Sequence, residues 1–150
     1  MQLSKHFSIN EFLKSDHADT NGIDNVPDYD DIQNMKELCR WVMEPIRERW
    51  GPTAVSSGYR IWTPDSQHGK GEAADFECRD GTNIEVAQWI VDNLDFDQLI
   101  LEYVDDDVKY SGWIHCSFKG GRAGDNRNEV LSAKRNSSGK TYYVTGLDWD

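Results

Sequence analysis

From Tyr29 to Trp50 the apolar residues Ile32, Met35, Leu38, Val42, Ile46 and Trp50 recur every three or four positions, the spacing of one helix face. The acids of Asp28–Asp31 stand at its start, where the helix dipole favours negative charge. Pro45 falls inside the stretch and predicts a kink or break near Met43. Ahead of it, Phe7, Ile9 and Phe12 mark Leu3–Leu13 as a short docking segment, with Ser8 able to cap a helical turn beginning near Asn10. Ser15–Asp28 is polar, carries turn signals at Asn21-Gly22 and Pro27, and reads as loop.

Beyond Gly51-Pro52 the period changes. Thr53–Ser57 and Ala73–Cys78 read as strands, separated by a loop over Gly58–Gly71. Thr82 caps a predicted helix, Asn83–Asn93, with Ile84, Ala87, Ile90 and Val91 as its apolar stripe. Two apolar runs, Gln98–Tyr103 and Gly112–Phe118, are joined by acidic Val104–Ser111 and predict a hairpin with a charged tip. Val130–Lys134 and Thr141–Val144, flanking Asn136–Lys140, predict a final small hairpin. The expected architecture is α+β, a small antiparallel sheet packed against helices on one face.

At 150 residues the chain fits a single domain, 1–150. Hydrophobic residues are only 37%, yet aromatics reach 11% with six Trp, which argues for a packed core over disorder. A net charge of −11 argues against nucleic acid as the main ligand, because polyanion binding draws on Lys and Arg. The one basic stretch, Lys119–Arg127, reads as a solvated loop. No window of about 18 apolar residues exists to cross a membrane. The polar first twenty residues hold no signal peptide, so the expected site of synthesis is the cytoplasm. Cys39, Cys78 and Cys116 match no metal-knuckle spacing and read as free thiols.

The chemistry concentrates around two of four histidines. His68 lies where a glycine-containing loop feeds the Ala73–Cys78 strand, and Asp75 projects beside that loop. In Trp113–Phe118, alternation puts Trp113, His115 and Ser117 on one face. Pairing of these two strands would bring His68, Asp75 and His115 together as two imidazoles and a carboxylate. That is the donor set of a catalytic zinc site with an open position, although the same set can hold iron. A hydrolase also needs a base: Glu102, at the end of an apolar strand, is the candidate, with Asp105–Asp107 as rivals on the hairpin tip. Arg60 precedes the histidine loop and can hold a substrate carboxylate or steady developing negative charge. His6 and His17 read as ordinary surface histidines.

The SxHxxGxAxD pattern at Ser66–Asp75, followed by WxHxS at Trp113–Ser117, resembles the zinc D-alanyl-D-alanine carboxypeptidase/endopeptidase family. The likeness extends over His6-Phe7-Ser8, Gly22–Asn25, Glu44–Arg47, Ser57–Arg60 and the closing hairpin, and is strongest to the compact phage endolysin-like branch. The resemblance implies a hedgehog-type metal-site fold, Zn2+ held by His68, Asp75 and His115, and Arg60 near the substrate. Several family members carry an acid three positions before the last histidine. Here that position is Gly112, and in the branch this chain resembles the acid ends the preceding strand, which points to Glu102. The implied activity is hydrolysis of D-amino-acid-containing peptides of bacterial peptidoglycan by a monomer that binds stem peptides and neither nucleic acid nor membrane. Access to the wall would follow holin release or come from the virion. The alternative is a non-catalytic zinc-containing binding or virion structural module on the same scaffold.

Overall fold

The computed structural model describes residues 1–119 and 125–150. Its centre is a six-stranded sheet of β1 (Thr53–Ser57), β2 (Ala73–Cys78), β3 (Gln98–Glu102), β4 (Trp113–Ser117), β5 (Glu129–Arg135) and β6 (Thr141–Thr145). The strand order is β1-β2-β4-β3-β5-β6. Four of the five pairings are antiparallel, and β3–β5 is parallel. The expected α+β arrangement therefore holds, with a mixed sheet in place of a wholly antiparallel one.

Helices cover one face: α1 (Ile9–Leu13), α2 (Asp16–Thr20), α3 (Tyr29–Leu38), α4 (Glu44–Trp50) and α5 (Asn83–Asn93). At the start of α3 the Asp31 amide donates to Asp28 Oδ1 at 2.8 Å and the Asp28 amide to Asp31 Oδ2 at 3.1 Å, satisfying two amides that no helical carbonyl can reach. Between α3 and α4 the chain winds one π-helical turn, Cys39–Met43, in which the Glu44 amide reaches back to the Cys39 carbonyl. Pro45 explains it: proline brings no N–H and its ring crowds the carbonyl four residues earlier, so the helix widens there instead of breaking. In α5 the buried apolar stripe is Val86, Ala87 and Ile90, while Ile84 is only half-buried. The α2 helix occupies part of the segment expected to be loop; Ser15 caps it and Ala18 is its one buried residue. No helix among the described residues is long and apolar enough to cross a membrane.

The alternation of β-strand side chains divides the sheet. Val55, Phe76, Ile114, Leu99 and Leu101 turn inward to meet Met35, Leu38, Val42, Ile46 and Ile90 in one core. Full burial of each such side chain contributes about 1.5–3 kcal/mol. Among the described residues the opposite face lacks a helical cover, and it carries one row across all six strands: Ser57, Asp75, His115, Ile100, Leu131 and Thr145. A β-bulge between Val55 and Ser57 brings Ser57, rather than Ser56, opposite Asp75. The next row reads Trp113, Glu102, Ala133, Tyr143.

Candidate metal centre

Asp75 and His115 are register partners on β2 and β4. His68 arrives from a short 3-10 turn, His68–Lys70, closed by Gly71 in the left-handed region at φ 73°. One ligating atom each from His68, Asp75 and His115 lies within 4.8 Å of the others, and all three residues are buried. The structure thus brings together the three side chains that the sequence set far apart.

Each imidazole is oriented from behind. His68 Nδ1 donates to the Gly58 carbonyl at 2.7 Å, leaving Nε2 to face Asp75 Oδ1 at 3.3 Å. Gly58 suits this task because a Cβ there would meet the Phe12 carbonyl oxygen at 2.6 Å and Phe12 Cα at 2.7 Å. His115 Nε2 donates to Gln67 Oε1 at 2.7 Å, leaving Nδ1 to face Asp75 Oδ1 at 3.0 Å. The Gln67 amide is itself oriented, since its Nε2 donates to Asp97 Oδ2 at 3.2 Å. Asp97 is fully buried and is gripped by the backbone N, Nε and Nη2 of Arg127 at 3.2, 3.0 and 2.9 Å.

With both outer ring nitrogens engaged, each ring turns its inner nitrogen toward one carboxylate oxygen. Three electron-rich atoms this close repel one another unless a cation lies between them, either ring protons or a metal ion. Burial alone would raise the Asp75 carboxyl, but the facing His115 and His68 outweigh it and hold it well below the ordinary carboxylate range. Two nitrogens and an ionised oxygen with hydrogen-bonded outer partners fit a zinc ion that keeps a vacant position for water.

The other expected site residues stand around this cluster in an open cleft of about 450 Å³. Glu102 ends β3 beside Trp113, its register partner, and is half-buried. Diagonal neighbours on a sheet lie about 7–8 Å apart, so a long side chain there reaches toward His115. Burial, followed by the negative charge of Asp75, pushes the Glu102 carboxyl above its ordinary value. Asp105–Asp107 are exposed on the hairpin tip, where Asp105 and Asp106 line a different pocket. Arg60 donates through Nε to Ser57 Oγ at 2.8 Å and through Nη2 to Asp75 Oδ2 at 3.1 Å. Its observed partner is therefore the aspartate of the cluster.

His6 pairs with Glu44 at 2.7 Å and His17 lies against Trp62, both away from the cleft. All three cysteines are buried and free. Of the basic stretch Lys119–Arg127, residues 120–124 lie outside the described residues, and Arg127 is the partner of Asp97. The Gln67–Asp97–Arg127 support was not read from the sequence, where these residues look like ordinary polar loop positions. Tyr103 and Arg135, which border the cleft beside Glu102, were likewise missed; only the pairing of β3 with β5 gathers them.

Comparison with known proteins agrees with this geometry. The family model for peptidase M15 matches residues 5–117, a span that contains His68, Asp75, Glu102 and His115. Searches of curated proteins and of solved structures each found no match. The match covers most of the chain, and on that ground the protein belongs to the peptidase M15 family of zinc-dependent peptidases.

Proposed function

We propose that the protein hydrolyses D-amino-acid-containing peptides of bacterial peptidoglycan, as a D-Ala-D-Ala carboxypeptidase or an endolysin-type endopeptidase. The observation that carries this reading is the buried His68–Asp75–His115 cluster, with its outer nitrogens already committed, at the floor of an open cleft. A zinc ion held there would supply Lewis acidity toward water and toward a peptide carbonyl. Glu102 takes the proton of the attacking water and returns it to the leaving amine, work for which a carboxyl raised above its ordinary value is suited. Arg60 keeps the Asp75 carboxylate aligned and adds positive charge where an oxyanion develops. The enzyme works as a monomer on stem peptides of the wall, reached after holin release or from a virion.

The test is mass spectrometry of purified peptidoglycan before and after treatment, with zinc, with chelator, and with His68→Ala or Asp75→Ala protein. Zinc-dependent fragments that vanish in both variants are expected, and the fragment masses identify the bond. Full activity in chelated or ligand-substituted protein would end the proposal. Stoichiometric zinc with no fragment released would make the chain a binding or virion structural module instead.

A further inference from the structure

Among the described residues two arginines line the cleft, and they are not equivalent. Arg60 is engaged by Ser57 and Asp75. Arg135, at the end of β5, makes no ion pair among the described residues and is exposed. Its guanidinium lies over the Tyr103 ring, 4.0 Å from the centroid. Stacking of this kind fixes the plane of the guanidinium and leaves its N–H edge open for a carboxylate.

The support under that ring is built at some cost. Tyr103 sits in the left-handed region at φ 56°, a conformation unfavourable for a residue other than glycine. It is held there by its amide to the Ala133 carbonyl at 3.0 Å, its hydroxyl on Thr141 Oγ1 at 2.7 Å, and its ring edge-on to Trp113 at 5.5 Å. Three strands, β4, β5 and β6, thus converge on keeping one aromatic ring beneath one free guanidinium. The placement relative to the chemistry follows from register: Ala133 pairs with Glu102, and Arg135 lies two residues further along the same face. Strand spacing and rise put its Cα about 8 Å from that of Glu102.

We infer that Arg135, seated on Tyr103, is a carboxylate-binding subsite that selects peptides carrying a free carboxylate within a residue or two of the cleaved bond. This deepens the function proposed above and rests on it for the identity of the peptide. Charge makes such a device necessary. A chain of net charge −11 repels carboxylates at long range, so an acidic peptide needs a cation inside the cleft. Arg135 and Thr141 lie beyond the residues matched by the family model. The carboxylate has two possible sources, the C-terminal α-carboxylate and an acidic side chain near the bond.

The experiment uses synthetic stem pentapeptides ending in D-Ala-D-Ala: one unmodified, one amidated at the C-terminus, and one amidated at its acidic side chains. Wild-type, Arg135→Gln and Arg135→Lys proteins are compared by steady-state kinetics. Isothermal titration with zinc-loaded Glu102→Gln and Glu102→Gln/Arg135→Gln proteins measures binding without turnover. Arg135→Gln should weaken the unmodified peptide at least tenfold, with the loss in KM rather than kcat, and Arg135→Lys should recover part of it. The amidated peptide that loses discrimination between wild type and Arg135→Gln names the carboxylate. Equal affinity of the unmodified peptide for both titrated proteins, or no measurable binding to either, overturns the subsite. Absence of cleavage by wild type alongside a tenfold difference in titration would instead overturn the peptidase reading and leave the subsite standing.

Discussion

Replacing Gln67 with leucine tests whether the support behind His115 sets metal affinity. Leucine approximates the volume of glutamine but offers neither the Oε1 that accepts from His115 at 2.7 Å nor the Nε2 that donates to Asp97 at 3.2 Å. His115 then loses the partner that fixes its tautomer and ring angle. Outer partners of metal-binding histidines are worth about 10–100-fold in metal affinity, which is about 1.4–2.8 kcal/mol at 1.4 kcal/mol per decade. The metal-free fold should suffer less. Gln67 is only half-buried, so water can reach the vacated His115 N–H, and Asp97 keeps its three bonds from Arg127. A loss of about 1 kcal/mol, the ordinary net value of one hydrogen bond, is expected there. Zinc competition against a chromophoric chelator gives the affinity, and urea unfolding of chelated protein gives the stability. A zinc dissociation constant within twofold of wild type would refute the reasoning.

Three further outcomes are expected. Glu102→Gln should retain zinc yet lose about 10²–10⁴-fold in kcat; because the raised carboxyl must be ionised to act, wild-type kcat/KM should climb with pH through a value above that of ordinary glutamate, and the variant should lack this limb. Asp97 is buried, which raises its carboxyl, but Arg127 more than offsets this and lowers it, so its contribution to stability is present above the ordinary aspartate value and lost as pH falls through the folded-state one. Unfolding midpoints of wild type should therefore drop more steeply on acidification than those of Asp97→Asn, and parallel curves would contradict the pairing. Gly58→Ala should destabilise by about 1–3 kcal/mol through its clash with the Phe12 backbone, with weaker zinc binding as the His68 acceptor shifts; unfolding and chelator competition measure both.

Local chemistry made much of this molecule readable from the chain. β1, β2 and α5 have the expected bounds because turn and cap residues, Gly51-Pro52 and Thr82 among them, punctuate them sharply. The metal cluster was legible for a related reason: alternation fixes which face His115 and Asp75 share, and only one pairing was needed to unite them. Pro45 announced a disturbance, but whether a helix kinks or widens depends on what packs around it, and the π turn appeared only in the structure. The short α2 carries a single buried residue, too weak a periodic signal to read. The parallel β3–β5 contact was hidden because an alternating pattern says which side of a strand is buried and nothing about its neighbour. Everything depending on that contact was hidden with it, including Arg135 over Tyr103.

The parallel seam between β3 and β5 has an evolutionary corollary. The His68–Asp75–His115 cluster and Glu102 all lie on or before β4, whereas the ribbon of β5 and β6 is attached laterally, along the β3 border of the sheet. Exposed residues of such a ribbon can change while the cluster stays untouched. Chimeras exchanging residues 129–145 among relatives would then inherit their taste for peptides from the donor and their turnover from the recipient.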